Sequence, residues 1–225
     1  MSTLAPLPEQ IAIVPPKPLL RGWSHLVSFP VWTIVGVSLV ALANVALPGR
    51  LLLGVYVVGT GTMFGVSAMY HRGRWQPPAK ALMQKFDRSA IFLAIAGGYT
   101  PIAVVCLDGW VRVAVLVTAW VGAVAGIALH WVPRVPTALR GASYIVVSWA
   151  AVAVFPQLAR GLGTAGFVLL LAGGACYTIG ALSLATRWPN PWPRVFGFHE
   201  VFHAFTIVAA ALQFAAIAYA VVPQL

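Results

Sequence analysis

Long apolar stretches alternate with short polar or proline-containing breaks between residues 24 and 221 of this 225-residue chain. A helix needs about 20 apolar residues to cross a bilayer, and most of these stretches reach that length. The pattern therefore predicts an all-α, polytopic membrane protein, a bundle of seven transmembrane helices. The predicted spans are 24–46, 51–71, 88–107, 110–130, 139–155, 163–185 and 199–221, of which the fifth is the shortest.

The composition agrees with a membrane environment. Hydrophobic residues make up 60% of the chain and charged residues only 8%, with a mean hydropathy of +0.89, whereas soluble domains carry about 25% charged residues. A formal net charge of +10 would suggest nucleic acid as the partner of a soluble protein. In a membrane protein, basic loops fix the orientation and meet anionic lipid head groups. We therefore expect membrane lipids, and no nucleic acid, as partners.

The first 20 residues contain five prolines and no long apolar run. They predict a Pro-rich, mobile cytoplasmic tail (1–20) in front of a single transmembrane domain (21–225). The tail shows no basic stretch followed by an apolar core, the pattern of a cleavable signal peptide. Together with the compact chain, this favours the plasma membrane of a bacterium, the cytoplasmic membrane, with multiple passes.

The basic residues are distributed unequally between the two sides of the predicted bundle. Seven spans place the N-terminal tail and the loops after the second, fourth and sixth spans on one side. Of the 14 Lys and Arg residues, only Arg50, Arg112 and Arg160 fall on the other side. Because cytoplasmic loops are enriched in Lys and Arg, the N-terminus is predicted to be cytoplasmic and the C-terminus outside.

Three of the five histidines occupy ends of apolar segments. His71 ends the second span, and His199 and His203 open the seventh at positions i and i+4, a spacing that lets both bind one metal ion. The predicted topology puts all three at cytoplasmic depth, and Asp87 just before the third span. If the second, third and seventh helices are neighbours, three imidazoles and one carboxylate converge.

Three histidines and a water are the ligands of a catalytic zinc site, and zinc lowers the pKa of bound water to about 7. The predicted metal ligands are therefore His71, His199 and His203, although imidazole also suits copper, iron and nickel. Asp87 could accept a hydrogen bond from the water or act as general base. Ser67, one helical turn before His71, could orient its imidazole or contact the substrate.

Other readings stay open for several of these residues. A lone histidine at a helix end is commonly an interfacial residue, and His25 and His130 are read in that way, although His25, at the cytoplasmic start of the first span, could instead reach the site. Asp87 could cap the N-terminus of the third helix, alone or together with a catalytic role. Ser67 could pack or hydrogen-bond within its own helix. Glu200, between two predicted ligands, is the remaining acid on this side and has no assigned role.

Several of these residues belong to a pattern that resembles the hemolysin III family of the progestin and adipoQ receptor (PAQR) superfamily. The matching features lie within about residues 20–222. They imply seven transmembrane helices and a zinc held by His71, His199 and His203, with Asp87 and Ser67 beside the zinc-bound water. The matching pieces are Arg21-Gly-Trp-Ser-His25, Ser67-x-x-x-His71, Asp87, Gly98-Tyr99-Thr100-Pro101 and Phe196-Gly-Phe-His199-Glu-x-x-His203.

The resemblance implies amide hydrolysis of a lipid, because the wider superfamily includes ceramide-hydrolysing enzymes. The function predicted from the sequence is thus a zinc-dependent hydrolase of a ceramide-like lipid amide, which enters laterally from the bilayer. A cytolysin, or a membrane receptor or stress sensor with a structural zinc, is the alternative. The short tail argues against hormone reception, and the clustering of ionisable groups at one face argues against a transporter. Small-residue helix faces could support a dimer, but the oligomeric state stays open.

An intramembrane metalloprotease is a further alternative. The segment His199-Glu-x-x-His203 matches the zincin pattern, in which Glu200 would be the general base, and Leu107-Asp108-Gly109 resembles a metal-binding motif of intramembrane zinc proteases. The predicted topology disfavours this function. It places Asp108 at the outer end of the third span, about 30 Å from His199.

Overall fold

A computed structural model describes residues 17–225, and this part of the chain is helical almost throughout. It contains seven α-helices, while its only β-type pairing is an isolated bridge between Trp192 and Phe196. The last helix continues into a π-helical turn, Ile217–Val221, and a short 3-10 helix. The α-helices are α1 (Trp23–Leu42), α2 (Leu47–Arg72), α3 (Pro77–Cys106), α4 (Gly109–Trp131), α5 (Thr137–Ser148), α6 (Phe155–Thr186) and α7 (Phe198–Ala216).

Six helical stretches within residues 17–225 are long and apolar enough to cross a membrane. The predicted all-helical, polytopic architecture is therefore confirmed. One of the six, Thr137–Thr186, joins the predicted fifth and sixth spans, because only a turn and the 3-10 helix Val152–Val154 separate α5 from α6. Inside α6, Gly163 leaves the helical conformation (φ 66°, ψ 170°) and marks a kink.

The third helix begins at Pro77, well before the predicted start at residue 88. Proline is favoured in the first turn of a helix, where its missing N–H has no intrahelical partner, and Pro77 and Pro78 both lie there. Asp87 is consequently inside α3, and the residue at the N-cap is Gln76. The expectation that Asp87 opens the helix and caps it is wrong.

Close helix contacts at glycines hold the bundle together. α2 packs along α3, α6 packs along α7, and α1 contacts both α2 and α7. A Cβ on Gly59 of α2 would lie 2.6 Å from the carbonyl oxygen of Leu93 in α3. A Cβ on Gly180 of α6 would lie 3.0 Å from the Cβ of Phe205 in α7. Such small residues let helix backbones approach closely.

The segment in front of α1 is anchored to the loop between α6 and α7. The backbone N–H groups of Leu19 and Leu20 donate to the carbonyl oxygens of Arg194 (2.9 Å) and Val195 (3.0 Å). Residues 17–20 of the predicted tail are therefore part of the fold, and residues 1–16 lie outside the described part. This anchoring brings the start of α1 to the end of the bundle at which α2 ends and α7 begins.

Candidate metal centre

Three histidine side chains meet at one end of the bundle. His71 lies in the last turn of α2, and His199 and His203 lie in the first two turns of α7. Their candidate ligand atoms lie within 4.8 Å of one another, and 3.1 Å separates the Nε2 atoms of His71 and His199. His71 and His203 are buried, while His199 is half-buried. The helices thus converge as the sequence predicted.

The geometry of this triad suits a metal ion. At zinc–nitrogen bonds of about 2.0–2.1 Å and tetrahedral angles, two coordinating nitrogens lie about 3.4 Å apart. The 3.1 Å separation between His71 and His199 is close to this value. Neutral imidazoles also avoid the cost of burying several charges without partners. The triad can therefore hold a metal ion, and imidazole ligands alone do not select among zinc, copper, iron and nickel.

Ser67 connects the triad helix to Asp87. Ser67 is buried one turn before His71 on α2, and residues at i and i+4 share a helix face. The Ser67 side chain lies near the Asp87 carboxyl group of the neighbouring α3. The carboxylate that the sequence singled out is thus linked to the helix face that carries His71.

The segment Arg21–His25 lies directly against the triad, a contact that the sequence offered only as an alternative for His25. Arg21 forms an ion pair with Glu200, and the guanidinium of Arg72 stacks 4.4 Å from the ring centroid of Trp23. Gly22 has a φ of 80°, and a Cβ there would lie 2.4 Å from the Cβ of His71. Only glycine combines this conformation with so close an approach.

His25 is buried beside the triad, with 2% of its surface exposed. Its ring stacks on that of His203 with centroids 3.8 Å apart and planes 5° from parallel. The preceding Ser24 places its Oγ 3.5 Å from His203 Nδ1. The structure thus favours the alternative that His25 reaches the site over the reading of His25 as an interfacial residue. The available signal was that His25 ends the segment Arg21–His25, which belongs to the family pattern as a unit.

Glu200 is fully buried, and both of its carboxylate oxygens are engaged. One oxygen accepts from Arg21 Nε, and the other accepts from the backbone N–H of Gly197 at 2.8 Å. In the second contact, Glu200 at the third position of α7 accepts from the backbone of the N-cap residue Gly197 and so caps the start of the helix. Glu200 therefore holds the start of the ligand helix in place and ties it to the N-terminal segment.

The surroundings of the triad are basic. Lys17 Nζ donates to the carbonyl oxygen of His71. Partial burial lowers the pKa of Lys17, and the nearby charges of Arg21 and Arg72 lower it further. Positive charge around the site favours anionic or polarised oxygen groups.

His130 belongs to a different part of the bundle. It is buried on α4, where its Nδ1 donates to the Gly126 carbonyl (2.9 Å) and its Nε2 lies 3.0 Å from the Tyr144 hydroxyl. His130 lies in the last turn of α4, at a helix end as the interfacial reading requires, but its side chain is buried. It is a core histidine, and both ring nitrogens have partners within α4 and α5.

A cavity of about 250 Å³ opens between the start of α1 and the start of α7. Its wall is almost entirely apolar, and Ser24 and Glu200 are the polar residues that line it. Two of its residues, Trp23 and Val27, are 44% and 60% exposed on the outside of the helix bundle. The lining residues are Leu20, Trp23, Ser24, Val27, Phe196 and Glu200.

These features define an integral membrane protein of apolar helices with a buried three-histidine cluster at one end. The chain belongs to the haemolysin III family, since residues 14–214 match the family described as "Haemolysin-III related", a branch of the PAQR superfamily. It is 30% identical over 171 residues to "Hemolysin-3" of Bacillus cereus, covering 75% of this chain and 74% of that protein. It is 31% identical over 137 residues to the "Hemolysin-3 homolog" of Bacillus subtilis (strain 168), covering 60% and 61%.

Proposed function

We propose that this protein is a zinc-dependent hydrolase of the plasma membrane that acts on a lipid amide. The observation that carries the proposal is the buried triad of His71, His199 and His203, whose ligand atoms lie within 4.8 Å of one another. Zinc bound there would supply a Lewis acid and a water that is activated at neutral pH.

Asp87 is the proposed general base and acid. Its carboxylate would take a proton from the attacking water and return it to the nitrogen of the leaving amine. Ser67, which lies near that carboxylate, would hold it in position by a hydrogen bond in the reactive arrangement. One lipid amide and one water then give one fatty acid and one amine.

The cavity between α1 and α7 supports a lipid as the substrate. Its volume of about 250 Å³ is below the 300–1,000 Å³ of pockets that enclose a whole drug-sized ligand. The cavity therefore suits part of an amphiphile, such as one acyl chain. Val27 and Trp23 face outward from the bundle, whereas Ser24 contacts His203. An acyl chain could pass from the bilayer along this wall to the triad.

We propose that the chain crosses the membrane seven times, with the N-terminus in the cytoplasm. His71 at the end of α2 and His199 at the start of α7 lie on the same side of the membrane. Because α3 and α4 together return the chain to that side, the stretch between α4 and α7 must cross an even number of times. The stretch Thr137–Thr186 has 50 residues, about 75 Å as a straight helix, which is enough for two crossings. A turn near the kink at Gly163 is supported by the neighbouring Gly161, because a Cβ there would be 2.6 Å from Cys106, at the far end of α3.

The contacts of Glu200 argue against a metalloprotease. A zincin-type general base needs a free carboxylate beside the metal-bound water, but Arg21 and Gly197 occupy both oxygens of Glu200. Asp108 lies beyond the far end of α3 and pairs with Arg112 at 3.0 Å. About 30 Å separates it from Asp87 along the helix at 1.5 Å per residue.

A membrane-lytic activity is the second candidate, because both relatives carry the name Hemolysin-3. It differs from hydrolysis in its product. A lytic protein releases a dye trapped in liposomes without releasing fatty acid, whereas a hydrolase releases fatty acid from a lipid amide.

Metal content and fatty-acid release test the proposed function together. We expect about one zinc per chain by elemental analysis of detergent-purified protein, and loss of zinc in His71→Ala and in His203→Ala. Asp87→Asn should keep the zinc and release fatty acid from a ceramide at least about 100-fold more slowly, the usual contribution of a general base.

His130→Ala is the matched control, because it removes a buried imidazole of α4 that lies outside the triad. It should retain zinc. A folded wild-type protein without metal, or Asp87→Asn with unchanged release of fatty acid, would contradict the hydrolase proposal. Dye leakage from ceramide-free liposomes without fatty-acid release would favour the lytic alternative.

A further inference from the structure

His25 is a buried imidazole whose two ring nitrogens have no hydrogen-bond partner within residues 17–225. Its ring is held between His203 and the edge of Phe64, at centroid distances of 3.8 Å and 5.1 Å. The other buried histidine outside the triad, His130, uses both nitrogens. Because buried polar atoms are normally paired, the two nitrogens of His25 point to a ligand.

The stacking of His25 on His203 prevents both rings from coordinating one ion. The nitrogen lone pairs and N–H bonds of an imidazole lie in the plane of the ring. The two planes are 5° from parallel and one ring thickness apart, so an ion in the plane of His203 lies outside the plane of His25. The nitrogens of His25 are therefore available to a ligand group that lies in the plane of the His25 ring, next to the triad.

We infer that His25 binds the polar group next to the scissile bond of the lipid substrate, an inference that rests on the proposed function. A neutral imidazole offers one donor and one acceptor at its two nitrogens, and a hydroxyl group can accept from the first or donate to the second. A ceramide-like lipid amide, the substrate class already proposed, carries such a hydroxyl beside its amide. Ser24, next to His25 on α1, lines the apolar cavity, so the acyl chain of such a lipid can leave the triad through that cavity.

The role of His25 can be tested without measuring hydrolysis, by comparing the affinities of two ligands for the wild-type protein and for one variant. The ligands are a diazirine-bearing N-acylsphingosine and an N-acyl alkylamine of equal chain length without hydroxyl groups, both measured by photo-crosslinking against concentration. The wild-type protein should bind the hydroxylated lipid about fivefold to tenfold more tightly, the value of one hydrogen bond. His25→Phe keeps an aromatic ring between Phe64 and His203, removes both nitrogens and should abolish this preference without loss of zinc.

His25→Gln retains one donor and one acceptor and should restore part of the preference. Equal affinity of the wild-type protein for the two lipids, or no binding of either, would overturn the inference whether or not the variants fold. So would an unchanged preference in His25→Phe, or zinc loss from His25→Phe that remains folded. A wild-type protein that prefers the hydroxylated lipid but releases no fatty acid would contradict the hydrolase proposal and leave the role of His25 intact.

Discussion

At the residue scale, Gly22 determines how closely the N-terminal segment approaches the metal ligands. Its φ of 80° and the 2.4 Å that would separate a Cβ from the Cβ of His71 are independent reasons for glycine. A side chain at this position is strained and also pushes against a ligand. Gly22 therefore couples the order of the Arg21–His25 segment to the geometry of the triad.

Gly22→Ala should lower the melting temperature in detergent and reduce the zinc content. The expected cost is about 1–3 kcal/mol for the backbone conformation alone, with the displacement of His71 in addition. Gly141→Ala is the control, because Gly141 is helical in α5 and has nothing within 4 Å of the site of a Cβ. Wild-type melting temperature and zinc content in Gly22→Ala would contradict this account.

The sequence predicts residues of the site where the spacing is local. His199 and His203 share a helix face, and the topology adds His71 at the same depth. Contacts between distant segments were not predictable in this way. The pairs Arg21–Glu200 and Ser24–His203 each join positions 179 residues apart, and hydropathy alone carries no information about which helices are neighbours.

At the element scale, α1 has two different faces near its start. Ser24 and His25 contact His203, while Trp23 and Val27 line the cavity and are exposed on the outside of the bundle. Helix α1 packs against both α2 and α7. It therefore separates the ligand helices from the surrounding lipid on this side of the bundle, and the cavity along it is the proposed route for the acyl chain.

Val27→Trp should fill the cavity and raise the KM for a lipid amide several-fold without changing the zinc content, because the indole occupies the space of the acyl chain. Val37→Trp is the matched control. Val37 has a similar exposure, 57% against 60% for Val27, and lies outside the cavity. Initial rates against lipid concentration in mixed micelles give KM. Equal KM values in the two variants would exclude this route.

Helix ends were predicted less well than helices. Apolar residues cover every face of a membrane helix, so the sequence has no periodic signal that ends where the helix ends. The polar start of α3, from Pro77 to residue 87, was read as a loop because it contains charged residues. The near-continuity of α5 and α6 was not predicted either, and here the reason is the absence of polar residues. A short turn among apolar residues leaves no polar break.

At the scale of the whole molecule, composition alone was sufficient to predict that this is a membrane protein. An apolar, weakly charged chain can only be placed in a membrane, and this conclusion needs no knowledge of packing. The arrangement of the helices adds a constraint on topology that composition lacks. A site built from the end of α2 and the start of α7 requires both points to lie on one side of the bilayer.

Cysteine accessibility in intact cells tests the proposed seven crossings. The background replaces Cys106 and Cys176, the only cysteines of the chain, by serine. Cysteines placed at Gln76 and Trp188 should react with a membrane-impermeant maleimide only after permeabilisation, because both positions lie on the basic, triad side. Labelling at Gln76 in intact cells would contradict the cytoplasmic assignment of this side.

A cysteine at Leu225 distinguishes seven crossings from six, because only an odd number puts the C-terminus opposite the triad. It should react in intact cells, as should one at Asp108, whose side chain is 99% exposed. The hydrogen bond from Gln224 to the Gly161 carbonyl at 3.0 Å places the C-terminus beside the far turn of the Thr137–Thr186 stretch. If the cysteines at positions 225 and 188 reacted under the same condition, both in intact cells or both only after permeabilisation, the last helix would not cross the membrane. The proposed orientation of the triad would then be wrong as well.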